Sequence, residues 1–308
     1  MIRGGCRFGI LVVLCTSGCV DSYIAAPAAS SEDASGYIYF ASNREAQNFE
    51  LYRMPASGGA PVRLTFDAVD NDYEPVPSRD GRLVAWVREV AEAGQGVRST
   101  EIWVMNADGS DPHVLVRNGA SNASPSWLIG DTALVFASDV GGDWDIYRIG
   151  LAGGTPANLT HDPYADQGPR VSPDGRRIAF QSNRTLDFEI YTMAVDGSDV
   201  RNVSNSSADD RFPAWSSDGR QIFWTRYVDN FNLWRMNADG TNQQPVLVSP
   251  FSDMAPSVSP DGNAVVFTSD RVRPSTIFLL PLAGGVPRQL TNVSGWASGS
   301  DQDPFWSR

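Results

Sequence analysis

The chain contains no lysine, so all 24 of its basic residues are arginine. This absence excludes Schiff-base chemistry, a lysine-linked cofactor and the lysine of a phosphate-binding P-loop. Histidine is almost absent as well: only His113 and His161 occur, and neither lies at a metal-binding spacing or beside an obvious nucleophile. The Gly-x-Ser-x-Gly motif of serine hydrolases does not occur either. The sequence therefore offers no catalytic set built on lysine, histidine or a nucleophilic serine, and we expect a protein that is not an enzyme.

Positive charge is also scarce, because the formal net charge is −12 and no segment concentrates arginine into a basic patch. A nucleic-acid backbone would be repelled by such a surface rather than neutralised. We therefore expect no nucleic-acid partner.

The three cysteines, Cys6, Cys15 and Cys19, all lie near the N-terminus, so the rest of the chain can form no internal disulfide. The same segment has two early arginines and then an apolar run over residues 8–14. That layout is typical of a secretory signal and is too short to span a membrane as a mature helix. The folded part must depend on packing alone for its stability.

The residues before Cys19 resemble a bacterial lipoprotein box, in which Cys19 becomes the lipidated first residue of the mature protein. Thr16 stands where that family usually has Leu, and ordinary cleavage nearby with a soluble product is the alternative. We predict a signal peptide over residues 1–18, a flexible tether over 19–35 and a folded domain over 36–308. The lipid would be the only membrane contact, at the periplasmic face of a bacterial cell envelope. Val20 favours the outer membrane by resemblance to enteric sorting.

Six repeats of about 45 residues make up the folded part. Each contains an apolar strand that ends in an aromatic residue, followed by a strand whose aromatic residue stands two positions before an apolar one. Such alternation is the period of a half-buried strand. The first aromatic column is Phe40, Trp86, Phe136, Phe180, Trp224 and Phe267, and the second is Tyr52, Trp103, Tyr147, Tyr191, Trp234 and Phe278.

Glycine turns separate the strands of each repeat. The turn Ser172-Pro173-Asp174-Gly175 is echoed at residues 78–81, 216–219 and 259–262, and an Asp-Gly-Ser or Asp-Gly-Thr turn recurs near the end of the repeat. Glycine there supplies the positive φ that a tight hairpin needs. Four short strands per repeat, six repeats and no helical stretch predict an all-β fold, a six-bladed β-propeller of four-stranded antiparallel blades.

The two ends of the chain predict how the ring closes. The first repeat begins at Tyr37 with what is the second strand elsewhere, and residues 303–307 match the first strand of the other repeats. The C-terminal strand should therefore join the N-terminal blade, which removes two exposed sheet edges.

The repeat resembles the WD40-like Pro-Asp repeat of the TolB-like β-propeller family. The fourth repeat shows most of the pattern, from Pro169 through Asp174-Gly175 and Ser182-Asn183-Arg184 to the Ile-Tyr-x-Met run that ends at Met193. The resemblance covers the chain from about residue 37 to its end. It implies a binding protein of the cell envelope. TolB itself carries an additional α/β domain before its propeller, whereas we expect only a tether before the first repeat here.

One further column stands in the loops between blades, and these positions should ring one mouth of the central channel. It consists of Asp72, Asn122, Asp166, Asp210, Asp253 and Asp301. One interpretation is that these side chains cap loop amides and pair with the strand-end arginines Arg44, Arg184 and Arg271. The other is a cation site for a hard ion such as Ca²⁺, with Asp166, Asp210 and Asp253 as ligands.

Aromatic residues on the same loops, above all Tyr73, Tyr164 and Trp296, are candidates for anchoring a partner, although packing between blades would explain them equally. We therefore expect a monomeric propeller that binds a protein or peptide partner through an acidic, aromatic-bearing channel mouth. The alternative is a carbohydrate-binding or hydrolytic propeller that acts on an envelope or extracellular polysaccharide, because acid/base chemistry by aspartates alone is possible in principle.

Overall fold

A computed structural model describes residues 36–45, 47–91, 98–292 and 299–307 of the chain. Every regular element within these ranges is a β-strand. The same ranges contain no helix that is long and apolar enough to cross a membrane. The predicted signal peptide and tether, including Cys19, lie outside the described residues.

The strands form six separate four-stranded antiparallel sheets, which are the six predicted blades. Blade 1 consists of β1 (Tyr37–Ser42), β2 (Glu50–Pro55), β3 (Val62–Arg63) and β24 (Asp301–Trp306); blade 2 of β4 (Asn71–Pro77), β5 (Leu83–Ala91), β6 (Arg98–Asn106) and β7 (His113–Val116); and blade 3 of β8 (Asn122–Trp127), β9 (Ala133–Ser138), β10 (Asp145–Gly150) and β11 (Ala157–Asn158). Blade 4 consists of β12 (Asp166–Val171), β13 (Arg177–Thr185), β14 (Asp187–Ala194) and β15 (Arg201–Asn202); blade 5 of β16 (Asp209–Trp215), β17 (Gln221–Tyr227), β18 (Phe231–Asn237) and β19 (Gln244–Leu247); and blade 6 of β20 (Asp253–Val258), β21 (Ala264–Ser269), β22 (Thr276–Pro281) and β23 (Arg288–Gln289).

The ring closes through the C-terminal strand, as the sequence predicts. Strand β24 pairs with β1, with Trp306 opposite Ile38 and Asp301 opposite Ser42. The backbone N–H of Ser307 continues the pairing by donating to the carbonyl oxygen of Tyr37 at 2.8 Å. Blade 1 is thus assembled from both ends of the propeller.

The two aromatic columns form the centre of each blade. The residues of the first column are fully buried, and each is paired across the sheet with the aromatic residue of the second column, as Phe180 is with Tyr191. The ring centroids in the six pairs are 5.8–6.2 Å apart. Such pairs contribute about 0.5–1.5 kcal/mol beyond the burial of their area. Apolar side chains on the faces of neighbouring blades fill the space between blades.

The connections lie on two opposite faces, because successive strands within a blade are antiparallel. We call one the loop face; it carries the loops between blades and the loops that join second to third strands. The other, the turn face, carries the glycine turns. In one such turn Ser172 Oγ donates to Asp174 Oδ1 at 2.6 Å, and Gly175 has a φ of +70°. The first and last described residues, Gly36 and Ser307, are both at the turn face, where the carbonyl of Gly36 accepts the N–H of Ala56.

Candidate functional site

The predicted acidic column lies at the loop face, where each innermost strand begins. All six side chains, at Asp72, Asn122, Asp166, Asp210, Asp253 and Asp301, are 0 % exposed. They point into the blades, so they do not present charge at the channel mouth as the sequence suggested. The physical reason is that each carboxylate has a cationic partner within its own blade.

Five blades contain an ion pair between the column aspartate and an arginine at the end of the second strand. The nitrogen–oxygen distances are 2.6 Å for Arg44–Asp301, 2.8 Å for Arg88–Asp72, 2.8 Å for Arg184–Asp166, 2.7 Å for Arg226–Asp210 and 2.6 Å for Arg271–Asp253. In each case the guanidinium carbon also lies 4.5–5.1 Å from the ring centroid of the second-column aromatic residue. These contacts are cation–π interactions.

The pairs of Arg44, Arg184 and Arg271 are those that the sequence named as one interpretation of the column. The repeat pattern did not predict the pairs of Arg88 and Arg226, because these two arginines follow the first-column aromatic residue by two positions instead of four. With either spacing, the guanidinium lies over the aromatic pair of its own blade. The signal was therefore present, but only the blade geometry shows that the two spacings are equivalent.

Blade 3 is the exception, and it lacks both charges together. Asn122 stands in the column, and Val140 occupies the position of the arginine. The Asn122 amide instead donates to the carbonyl oxygen of Thr100 at 2.6 Å and to Asn118 Oδ1 at 2.9 Å. The joint loss of acid and base supports a structural role for the column, because an unpaired buried charge would be costly.

The geometry bears on the predicted Ca²⁺ ligands as well. Asp166, Asp210 and Asp253 lie in three different blades, and in each both carboxylate oxygens accept hydrogen bonds from an arginine of the same blade. Within the described ranges, no three His, Cys, Asp or Glu side chains are grouped so that they could hold a metal ion. The Ca²⁺ site stays a prediction, and the geometry favours the ion-pair interpretation.

The three candidate aromatic anchors differ in their surroundings. Tyr73 is partly buried and packs against Phe49, with ring centroids 5.1 Å apart. Tyr164 is 42 % exposed on the loop between blades 3 and 4. Trp296 lies outside the described residues. Of the two aromatic residues that can be placed, only Tyr164 is available to a partner.

Other apolar side chains on the loop face are more exposed than these. Leu186 is 94 % exposed at the tip of the loop between β13 and β14, and Tyr227 and Val228 are exposed on the corresponding loop of blade 5. Each loop also carries an exposed acid, Asp187 or Asp229, for which the structure shows no ion pair. The second-to-third strand loops thus present apolar and acidic groups together.

The channel itself is lined by a ring of six residues that no sequence column predicted. They follow the acidic column by two positions and precede the proline of each repeat; they are Glu74, Ser124, Gly168, Phe212, Ala255 and Asp303. Each has a φ between +50° and +63° and lies at a register shift between the first and second strands. A β-bulge of this kind re-aims a side chain, here towards the channel. We call this set the bulge ring.

Neighbouring members of the bulge ring are joined by hydrogen bonds. The Glu74 carboxylate accepts the backbone N–H of Ser124, and the backbone N–H of Glu74 lies near enough to the Asp303 carboxylate to favour its ionised form. Gly168, the ring member of blade 4, has no side chain that could accept the N–H of the next member, Phe212. Gln181 Oε1 accepts that N–H instead, at 2.9 Å. Burial, followed by the nearby Glu74 carboxylate, raises the pKa of Asp303 to about 7.

The chain is similar to known proteins in the region that contains the repeats. The family model of the TolB β-propeller domain matches residues 98–308. The chain is 31 % identical over 83 residues to the Tol-Pal system protein TolB of Francisella tularensis subsp. tularensis (strain WY96-3418). These residues make up 27 % of this chain and 19 % of that protein. The aligned segment thus spans about a fifth of the length of this curated relative.

Solved structures share the fold at lower identity. TolB from Acinetobacter baumannii superposes with a TM-score of 0.76 and 19 % identity, over 89 % of this chain and 67 % of that chain. An oligogalacturonate lyase from Vibrio parahaemolyticus superposes with a TM-score of 0.57 and 16 % identity, over 83 % of this chain and 74 % of that chain. At these identities the likeness establishes the propeller fold alone, which hosts many functions.

Proposed function

Because the chain belongs to the TolB β-propeller domain family, we propose that it is a non-catalytic protein of the bacterial cell envelope that binds a protein or peptide partner. Its relatives include proteins named for the Tol-Pal system, and a partner of that kind would be another envelope protein. The N-terminal segment supports the location: a secretory signal over residues 1–18, followed by a lipidated Cys19, would leave the protein at the periplasmic face, held in the outer membrane. We expect the protein to be monomeric.

The loop face is the surface we assign to the partner. The observation that carries this assignment is the group of exposed apolar side chains on neighbouring blades 4 and 5, Leu186, Tyr227 and Val228. Exposed apolar groups of this kind, rimmed by polar residues, mark interaction sites. The adjacent Asp187 and Asp229 favour a partner segment that combines apolar side chains with basic ones.

The point at which the chain enters the propeller also supports the assignment of the loop face to the partner. The first described residue, Gly36, lies at the turn face, where its carbonyl accepts the N–H of Ala56. The chain therefore enters the propeller at the face opposite the loop face. This arrangement leaves the loops accessible to a protein approaching from the periplasm.

The surroundings of the two histidines support a role without catalysis. His113 and His161 are both exposed, and the ring Nδ1 of His113 lies 3.1 Å from the carbonyl oxygen of Asp111, two residues before it. Neither histidine has a nucleophile or a carboxylate as a described partner. Most of the buried aspartates hold arginines in ion pairs, so they are poorly placed as general acids.

The test is capture of the partner from envelope extracts by cross-linking, with two variants of matched exposure. Leu186→Asp places a charge in the proposed contact, whereas Val286→Asp does so at an 82 % exposed position near the turn face. We expect the first variant to recover at least about tenfold less partner, which corresponds to about 1.4 kcal/mol. The second should behave like the wild type.

Equal recovery with both variants would place the binding surface elsewhere. A glycan-array signal or turnover of an envelope polysaccharide, without any protein partner, would favour the carbohydrate-directed alternative.

A further inference from the structure

The central channel contains a cavity of about 450 Å³ that extends from the bulge ring towards the turn face. Its wall at the turn face includes Ser78, Pro173, Pro260 and Ser307. This volume is in the range of pockets that hold small molecules. The cavity reaches the turn face, so it is separate from the loop-face surface assigned to the partner.

The inner part of the cavity carries charges of both signs. Glu74 and Asp303 come from neighbouring blades 2 and 1, and Arg170 comes from blade 4. The guanidinium of Arg170 interacts electrostatically with both carboxylates, yet the structure shows no ion pair within 4.0 Å between them. Its one described hydrogen bond goes from Nη1 to the carbonyl oxygen of Pro169, at 3.0 Å.

This arrangement differs from that of the arginines in the blades. There, each guanidinium has a carboxylate at 2.6–2.8 Å. Arg170 is partly buried in the channel, and burial lowers its pKa, while most of its five N–H donors have no described acceptor. A guanidinium in that state favours an anionic ligand, because desolvated charges are costly unless they are paired.

The walls between the charged end and the turn face are apolar. They include Trp215 and Phe305, which are partly exposed, together with Val76 and Trp127, which are almost fully buried. The indole N–H groups are already used in the fold, since Trp127 donates to the carbonyl oxygen of Val76 at 2.8 Å and Trp215 to that of Arg170 at 2.9 Å. The walls therefore offer apolar surface to a ligand.

We propose that the cavity binds a small zwitterion, a free amino acid or dipeptide with apolar side chains. Its ammonium group lies against Glu74 and Asp303, and its carboxylate pairs with Arg170. The apolar side chains lie against Trp215 and Phe305. A ligand with both charges can pair with the carboxylates and with the guanidinium at once, whereas a simple anion or cation would pair with only one of them.

The binding equilibrium should be linked to protons. The charged groups that face Asp303 are Glu74 on β4 and Arg170 on β12, and the pKa of Asp303 is about 7. An ammonium group beside it stabilises the ionised form, so the complex holds fewer protons than the free protein near pH 7. Affinity should rise between about pH 6 and pH 7, below the pKa of about 7.7–8.0 of the ligand's own ammonium group, with proton release that calorimetry in buffers of different ionisation enthalpy measures.

The experiment is isothermal titration of the full chain with leucyl-leucine, its N-acetylated form and its C-terminal amide. We expect binding of the zwitterion and at least about tenfold weaker binding of each blocked form. Equal binding of a blocked form, or no heat with the zwitterion at about 10 mM, would overturn the proposal.

Two variants test which residue pairs with each charged group of the ligand. Arg170→Gln should reduce binding of the zwitterion to the level of the amide, and Asp303→Asn should abolish the proton release. The matched control is Arg148→Gln, an exposed arginine on β10 outside the channel, which should bind like the wild type. Melting curves identify a variant that fails to fold, and Glu74→Gln then serves as the second carboxylate variant. Unchanged binding and unchanged proton release in the folded channel variants would refute the site.

Discussion

Removal of the C-terminal strand tests how the propeller is held closed. Deletion of residues 303–308 takes away most of β24, including Phe305 and Trp306. Trp306 is 5 % exposed and belongs to the apolar cluster between blades 1 and 6. Phe305 is partly buried against the cluster between blades 2 and 3. The deletion also leaves the edge of β1 without its partner from Ile38 to Tyr39.

The loss of stability can be worked from these contacts. Truncation of a buried Trp to Ala costs about 3–5 kcal/mol, and Phe305 adds less because it is partly exposed. The total stability of a folded protein is about 5–15 kcal/mol. At about 2–4 °C per kcal/mol for a large domain, the loss of Trp306 alone lowers the melting temperature by on the order of 10 °C. The exposed edge of β1 should also promote aggregation.

The assay is thermal unfolding followed by circular dichroism, together with size-exclusion chromatography. The control is deletion of residues 20–35, which precede the first strand and should change the melting temperature little. If the C-terminal deletion melts like the full-length protein and stays monomeric, the pairing of β24 with β1 does not hold the ring, and the reasoning is wrong.

Three further predictions address the anchor, the ion pairs and the channel. Cys19→Ser should release the protein from membranes, and an unchanged membrane fraction without acyl mass on the wild-type N-terminus would contradict the anchor. Asp210→Asn should cost about 3–5 kcal/mol by leaving Arg226 buried without its partner; a rise in melting temperature with millimolar Ca²⁺ that this variant loses would instead favour the cation site. The fold favours the protonated form of Asp303, because its pKa is higher in the folded protein than in the unfolded chain. Its contribution to the free energy of unfolding is therefore complete below pH 3.8 and is lost as the pH rises through about 7. A pKa raised from 3.8 to about 7 corresponds to at most about 4 kcal/mol, and Asp303→Asn should remove that pH dependence from denaturant unfolding curves.

Sequence periodicity was a sufficient guide to the blades, because each repeat buries the same kinds of side chain in the same way. The aromatic columns recur six times, and the match between residues 303–307 and the first strand of the other repeats was enough to predict the closure at β1. The pairing of Asp166 with Arg184 could also be anticipated, since both stand at positions that other repeats share.

The direction of the acidic column could not be read in the same way. The sequence places Asp72 and Asp210 near a channel mouth, and only the strand register shows that their carboxylates point into the blades towards Arg88 and Arg226. The spacing between aromatic residue and arginine varies, so the partners become evident only when the second strand is seen beside the first.

The sequence by itself determined the all-β repeat, the blade count and the closure of the ring, because these depend on patterns that recur along the chain. The tertiary structure alone decided what the channel contains. Glu74, Phe212 and Asp303 are three different kinds of residue, so no sequence column connects them. They form one ring because a β-bulge turns the same backbone position inwards in every blade. The meeting of Arg170 with two carboxylates from other blades depends on ring geometry, which brings together residues more than 90 positions apart in the sequence.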